Sequence, residues 1–218
     1  MKKQLLFVAL LLAGFAGFSQ TEKYTKAMEA LVPSVDTTHS PEGLNNLANS
    51  FQRIADAEKN QWLPYYYAAY ANVSAALVQS NGQMGQADKT DPYADKAEAL
   101  LNKADELNKN NSEIYIVRKM IATLRLMGDP MNRYMTYGPL GDEALETAKK
   151  LNPNNPRVPM LLGQDKLFTP EQYGGSKTEA KKLFEEALQK FEAFKPESSI
   201  HPQWGLIQTK YFLTMTDK

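Results

Sequence analysis

The chain carries two imidazoles, His39 and His201, and no cysteine. A bound transition metal needs three or four nitrogen, sulfur or carboxylate ligands gathered in one place. Two histidines far apart in sequence, with no thiol near either, do not announce such a site. The acids Asp88, Asp91, Asp95 and Glu98 lack the central glycine and alternating oxygen ligands of a calcium loop, and are read as exposed acids at a helix start. Gly174-Gly175 is not followed by a phosphate-loop lysine and serine, and no strand precedes it, so it is read as a turn. No serine sits in a nucleophile elbow or beside an activating base. The chain is therefore read as a non-enzyme with no metal and no cofactor. The run Tyr65-Tyr66-Tyr67 with Tyr70 is the most suggestive local feature, because successive helical residues point in different directions and cannot all face one core. Two readings of it stay open. The rings serve as a recognition surface, or they pack between helices with their hydroxyls at the rim.

The elements that would position these groups follow from composition and periodicity. Of the 218 residues, 43% are hydrophobic and 23% charged, which excludes a disordered chain and suffices for one compact unit. Lys2 and Lys3, the apolar stretch from Leu5 to Ala16, and Gly17-Phe18-Ser19 read as a signal peptide over 1–19 cleaved before Gln20. The apolar stretch is shorter than the roughly 20 residues that span a bilayer. The expected domains are thus 1–19, signal peptide, and 20–218, one helical domain without stable membrane insertion. With no cysteine to carry a lipid anchor or a disulfide, the mature chain is expected to be periplasmic or secreted and held by packing alone. Removal of Lys2 and Lys3 leaves 23 cations against 25 anions, which argues against nucleic acid as a partner.

No segment alternates polar and apolar residues over strand length, whereas 3.6-residue periodicity recurs from Tyr24 onward. The pattern predicts nine helices, over 22–32, 41–57, 63–79, 92–107, 112–127, 140–151, 156–168, 177–194 and 202–215. Ser40-Pro41, Asp91-Pro92 and Thr169-Pro170 fit helix starts with proline at the first position. Ser176 with Glu179 fits a capping box. In the helix that follows, Ala180, Leu183, Phe184, Ala187, Leu188 and Phe191 form one apolar stripe opposite Lys181, Lys182, Glu185 and Gln189.

That stripe repeats. Ala180, Phe184 and Ala187 align with Ala97, Leu101 and Ala104, with Leu145 and Ala148, and with Leu47, Phe51 and Ile54. Preceding helices carry Trp204, Ile207 and Tyr211, the pair Leu162-Gly163, Tyr65 with Ala68 and Ala69, Ile114 with Val117 and Ile121, and Tyr24 with Ala27 and Leu31. Leu151-Asn152-Pro153-Asn154-Asn155-Pro156 has the character of a turn between repeats. In these residues the chain resembles the tetratricopeptide repeat family, with a period stretched beyond the usual 34 residues. The resemblance implies an all-α, right-handed solenoid of about four antiparallel hairpins plus a C-terminal helix. It also implies, by register, a concave groove lined by Tyr66, Tyr70, Tyr115, Lys119, Met160, Gln164 and Thr209. The irregular stretches 79–91, 128–138 and 169–175 would then project from one edge, as a specialised surface or as tolerated loop lengthening.

The function expected on this reading is a non-catalytic scaffold for a protein or peptide partner in the cell envelope. The competing expectation is a small-molecule-binding accessory component of a periplasmic transport system, for which an enclosed pocket would speak. A third, a hydrolase with a dispersed active site, would require converging carboxylates or a paired serine and base.

Overall fold

The computed structural model describes residues 22–217; the expected signal peptide over 1–19 lies outside them. Among the described residues there are nine α-helices and no strand. α1 spans 22–29 and is followed by a 3-10 turn at Val32–Val35. Then come α2 (Pro41–Ala57), α3 (Trp62–Ser80), α4 (Ala87–Leu107), α5 (Ser112–Gly128), α6 (Pro130–Leu151), α7 (Arg157–Phe168), α8 (Lys177–Ala193) and α9 (Leu206–Thr216). No helix among them is long and apolar enough to cross a membrane.

From α2 onward, helices adjacent in sequence pack as neighbours, except that α6 and α7 meet only sparingly, and α3 also packs on α5. Small residues make this close approach feasible. Ala97, Ala104, Ala148, Ala180 and Ala187 are all fully buried, as are Leu101, Phe51 and Phe184. Gly163 is the tightest case. A Cβ there would stand 2.6 Å from the Phe184 ring, so the α7–α8 contact requires a residue with no side chain.

Three helix starts differ from expectation. α4 begins at Ala87 and runs through Pro92, because Thr90 is buried against the α5 end and its hydroxyl bonds the Gln86 carbonyl at 3.1 Å. Tertiary anchoring there outweighs the hydrogen bond that proline removes. α6 begins at Pro130 rather than near 140. Asp129 caps it by accepting from the Asn132 amide, and the helix continues through Pro139. What reads as an inserted loop over 128–138 is therefore mostly helix. α9 begins only at Leu206, and residues before it form an irregular strap ending at Gly205, whose φ of 110° favours glycine. The Ser176 hydroxyl does accept the Glu179 amide, but the Glu179 carboxylate turns to Lys166 at 2.6 Å instead of completing a capping box.

The acids at the α4 start have a structural role. Asp91 accepts two 2.7 Å bonds from Arg133, while Asp95 and Glu98 pair with Arg125 at 2.8 and 2.6 Å, clamping α4 to α5 and α6. Arg133 holds the Asp91 carboxyl below its ordinary value of 3.8. A depressed folded-state value means the contribution is complete above 3.8 and is lost as pH falls through the lowered value. Acid titration of the melting temperature should therefore show a loss of about 1 kcal/mol in this range that is missing in Asp91→Asn.

Candidate functional site

The predicted groove residues converge, but around a piece of the chain itself. Tyr66, Tyr70, Met160 and Thr209 are at most 1% exposed. The strap between α8 and α9 lies over them. Tyr67 donates to the Ile200 carbonyl at 3.1 Å, Trp204 Nε1 donates to the Tyr66 hydroxyl at 2.9 Å, and the Trp204 ring sits on Tyr70 with centroids 4.2 Å apart. At the far edge Asp36 accepts the Gly205 amide and Glu29 accepts the Ser199 hydroxyl. A Cβ on Gly205 would press on Phe191 and on the Met160 sulfur. These four predicted residues thus form the seat of the strap. Burial raises the hydroxyls of Tyr66 and Tyr67 well above the ordinary phenol value and that of Tyr70 to about 12, so all three stay neutral. Of the other three, Lys119 is buried and bonded to Asp165 at 3.0 Å, while Tyr115 and Gln164 are half-buried.

Beneath the strap lies a polar node that the residue pattern did not single out. Arg157 is fully buried and its Nη1 donates to Glu113 at 3.0 Å. Glu113 also accepts from Asn155 at 2.8 Å and from Tyr66 at 3.2 Å. Arg157 Nε and Nη2 have no hydrogen-bond acceptor among the described residues; the rings of Trp204, Phe194 and Phe191 face the guanidinium at 4.8, 5.2 and 5.8 Å. Cation–π attraction compensates part of its desolvation there. The node joins α3, α5, α7 and the strap, and it is structural.

The open surface is elsewhere. α6 has 22 residues and α7 has 12, a difference of about 15 Å at 1.5 Å per residue. Along α6, positions 131, 135, 138, 142, 145 and 149 share one face. Its C-terminal half meets α7, where Asp142, Leu145, Glu146 and Lys149 with Val158 and Leu162 line a cleft of about 160 Å³. Its N-terminal half outruns α7 with Met131, Tyr134 and Met135 at 92, 62 and 81% exposure. Gly138 continues that face without a side chain, leaving only the Tyr134 ring near it. Phe168 at the α7 end and Tyr173 in the following turn are also exposed. Large apolar side chains contiguous on one helical face and open to solvent make this stretch of α6 the candidate binding surface.

A second hollow, of about 530 Å³, lies between the α2–α3 turn and the end of α4, lined by Asp56, Lys59, Tyr65, Lys103, Glu106 and Leu107. Four of those six side chains are charged, which suits it less to an apolar ligand. Among the described residues no three histidine, aspartate or glutamate side chains gather in a metal-binding group. His201 sits between Glu197 and Ser198 on the strap, and His39 precedes the α2 cap.

No protein-family model matches the chain, the tetratricopeptide repeat included, and no curated protein matches it. Among solved structures the HusA haemophore from Porphyromonas gingivalis is similar, with a TM-score of 0.76 and 33% sequence identity over 88% of this chain and 92% of that chain. With that identity over nearly the whole of both chains, this all-helical protein belongs to the family of the HusA haemophore.

Proposed function

We propose that the protein is an exported, non-catalytic binder of haem or a related porphyrin, and that the macrocycle lies against the overhanging face of α6. The observation that carries the reading is the stripe of Met131, Tyr134 and Met135, left uncovered where α6 outruns α7. A porphyrin is a flat apolar plate with charged propionates at one edge. A thioether pair, a phenol ring and a Cβ-free glycine offer such a plate a broad, soft contact while the propionates stay in water. The relative's name supplies the ligand class: it is a haemophore. This follows the small-molecule alternative, an accessory component of a periplasmic transport system, with an open helix face in place of the enclosed pocket expected for it. The helical hairpins are taken to stack as a short right-handed solenoid whose concave side is closed by its own strap. A peptide scaffold would need that side open, and Trp204 and Ile200 occupy it.

Titration with haem, and separately with iron-free protoporphyrin, read by the Soret band, tests the proposal. Replacing Met131, Tyr134 and Met135 together by serine should weaken binding by about 10- to 100-fold, the effect of losing roughly 1.4–2.8 kcal/mol of contact. Helicity should be unchanged because these side chains face solvent. Wild-type affinity in the triple variant would reject the α6 face; a loss confined to Tyr65→Ser would move the site to the larger hollow. Equal affinity for the two porphyrins would mean that the ring, rather than the iron, is held.

A further inference from the structure

The α6 thioethers are distinctive in chemistry as well as in exposure. Met28, Met120 and Met160 are buried, Met84 is 58% exposed, and Met131 and Met135 reach 92 and 81%. Thioether oxidation follows access to the sulfur. Met131 and Met135 lie one helical turn apart on one face, with the Tyr134 ring beside them. Neither contributes to the core, and α6 is held from its other sides by the Arg133–Asp91 pair and by buried Ala144 and Ala148.

We infer that Met131 and Met135 form a paired redox-modification site, at which a peroxide converts each thioether to a sulfoxide and so weakens porphyrin docking on α6. The second half rests on the proposed function. In each event the sulfur lone pair attacks a peroxide oxygen. The S–O bond forms as the O–O bond breaks, and the departing hydroxide takes the proton of the transferred oxygen to leave as water. Sulfur is oxidised by two electrons and the peroxide is reduced by two. The sulfoxide is polar and a strong hydrogen-bond acceptor, so an apolar face becomes a hydrated one, and methionine sulfoxide reductases can reverse the change. The fold is spared because both side chains project from the packed body.

Limited treatment of the protein with hydrogen peroxide, followed by peptide mass mapping, reads the site directly. Met131 and Met135 should be oxidised first, about tenfold or more faster than Met28, Met120 and Met160. The melting temperature should hold, and the Kd for protoporphyrin should rise about tenfold. Methionine sulfoxide reductases acting on the oxidised protein should return both thioethers and restore the original Kd, whereas a Kd that stays raised after full reduction would overturn the switch. Oxidation of the α6 pair no faster than that of the buried methionines would overturn the modification site. Unchanged binding by protein oxidised at both positions would overturn the switch. If untreated protein bound no porphyrin, the functional reading and the switch would fall together, and the mass map would still decide the modification site.

Discussion

Arg157→Leu is expected to lower the stability of the protein by about 3–5 kcal/mol, the usual cost of removing one partner of a buried ion pair. Arg157 is wholly enclosed, and the Glu113 side chain is 12% exposed. The substitution leaves a desolvated carboxylate with only the Tyr66 hydroxyl and the Asn155 amide to solvate it. It also removes the cation that Trp204, Phe194 and Phe191 surround, which loosens the strap. Urea unfolding followed by circular dichroism measures the loss. The double variant Arg157→Leu, Glu113→Gln should be more stable than the single one, because no uncompensated charge remains. A double variant at least as unstable as the single would mean that the guanidinium matters through its packing alone.

The second large effect is expected at Ala187→Asp. Ala187 is fully buried on α8, in the same core cluster as Ala148 and Phe51. A carboxylate there would either stay charged in the core or take up a proton. Either way the cost is about 3 kcal/mol or more, and a small residue is replaced in a space already filled. Thermal melting should show a large drop, steeper at neutral than at acid pH. The contrast is Lys181→Ala on the same helix, whose partner Asp217 is exposed and whose loss should move the melt little. An Ala187→Asp protein that melts like wild type would contradict the packing of α8 described above.

How far the chain could be read before folding varies from element to element. α2 and α8 were legible to within a residue, because each carries its own start signal and a regular apolar stripe: Ser40-Pro41 and Ser176 both cap as their types require. The N-terminal extensions of α4 and α6 were not, since Pro92 and Gly138-Pro139 look like breakers in a local window. What keeps those segments helical is Thr90 packed on the α5 end and Arg133 bound to Asp91, contacts about 40 positions apart in sequence. The tyrosine run stands out in the sequence as a recognition surface or a packed cluster, and which of the two it is depends on residues far downstream. Tyr66, Tyr67 and Tyr70 are covered by Ile200, Trp204 and Gln208, and nothing within a helical window of Tyr66 encodes that. The α6 stripe has the opposite history. Met131, Tyr134 and Met135 have the helical spacing of a core face, and only the shortness of α7 leaves them in water.

The sequence by itself determined that the protein is all-helical, how its helices divide polar from apolar faces, and which small residues lie where helices cross. Those properties follow from hydrophobic periodicity and side-chain size, which act over a few turns and need no knowledge of distant neighbours. The tertiary structure alone decided which apolar faces are satisfied. It folds the strap back to close the tyrosine side, buries Arg157 with Glu113, and lets α6 run past α7 to leave one face open. An apolar face has the same pattern whether it meets a helix, a strap or solvent; which of these covers it depends on relative helix lengths and on contacts between residues far apart in the chain.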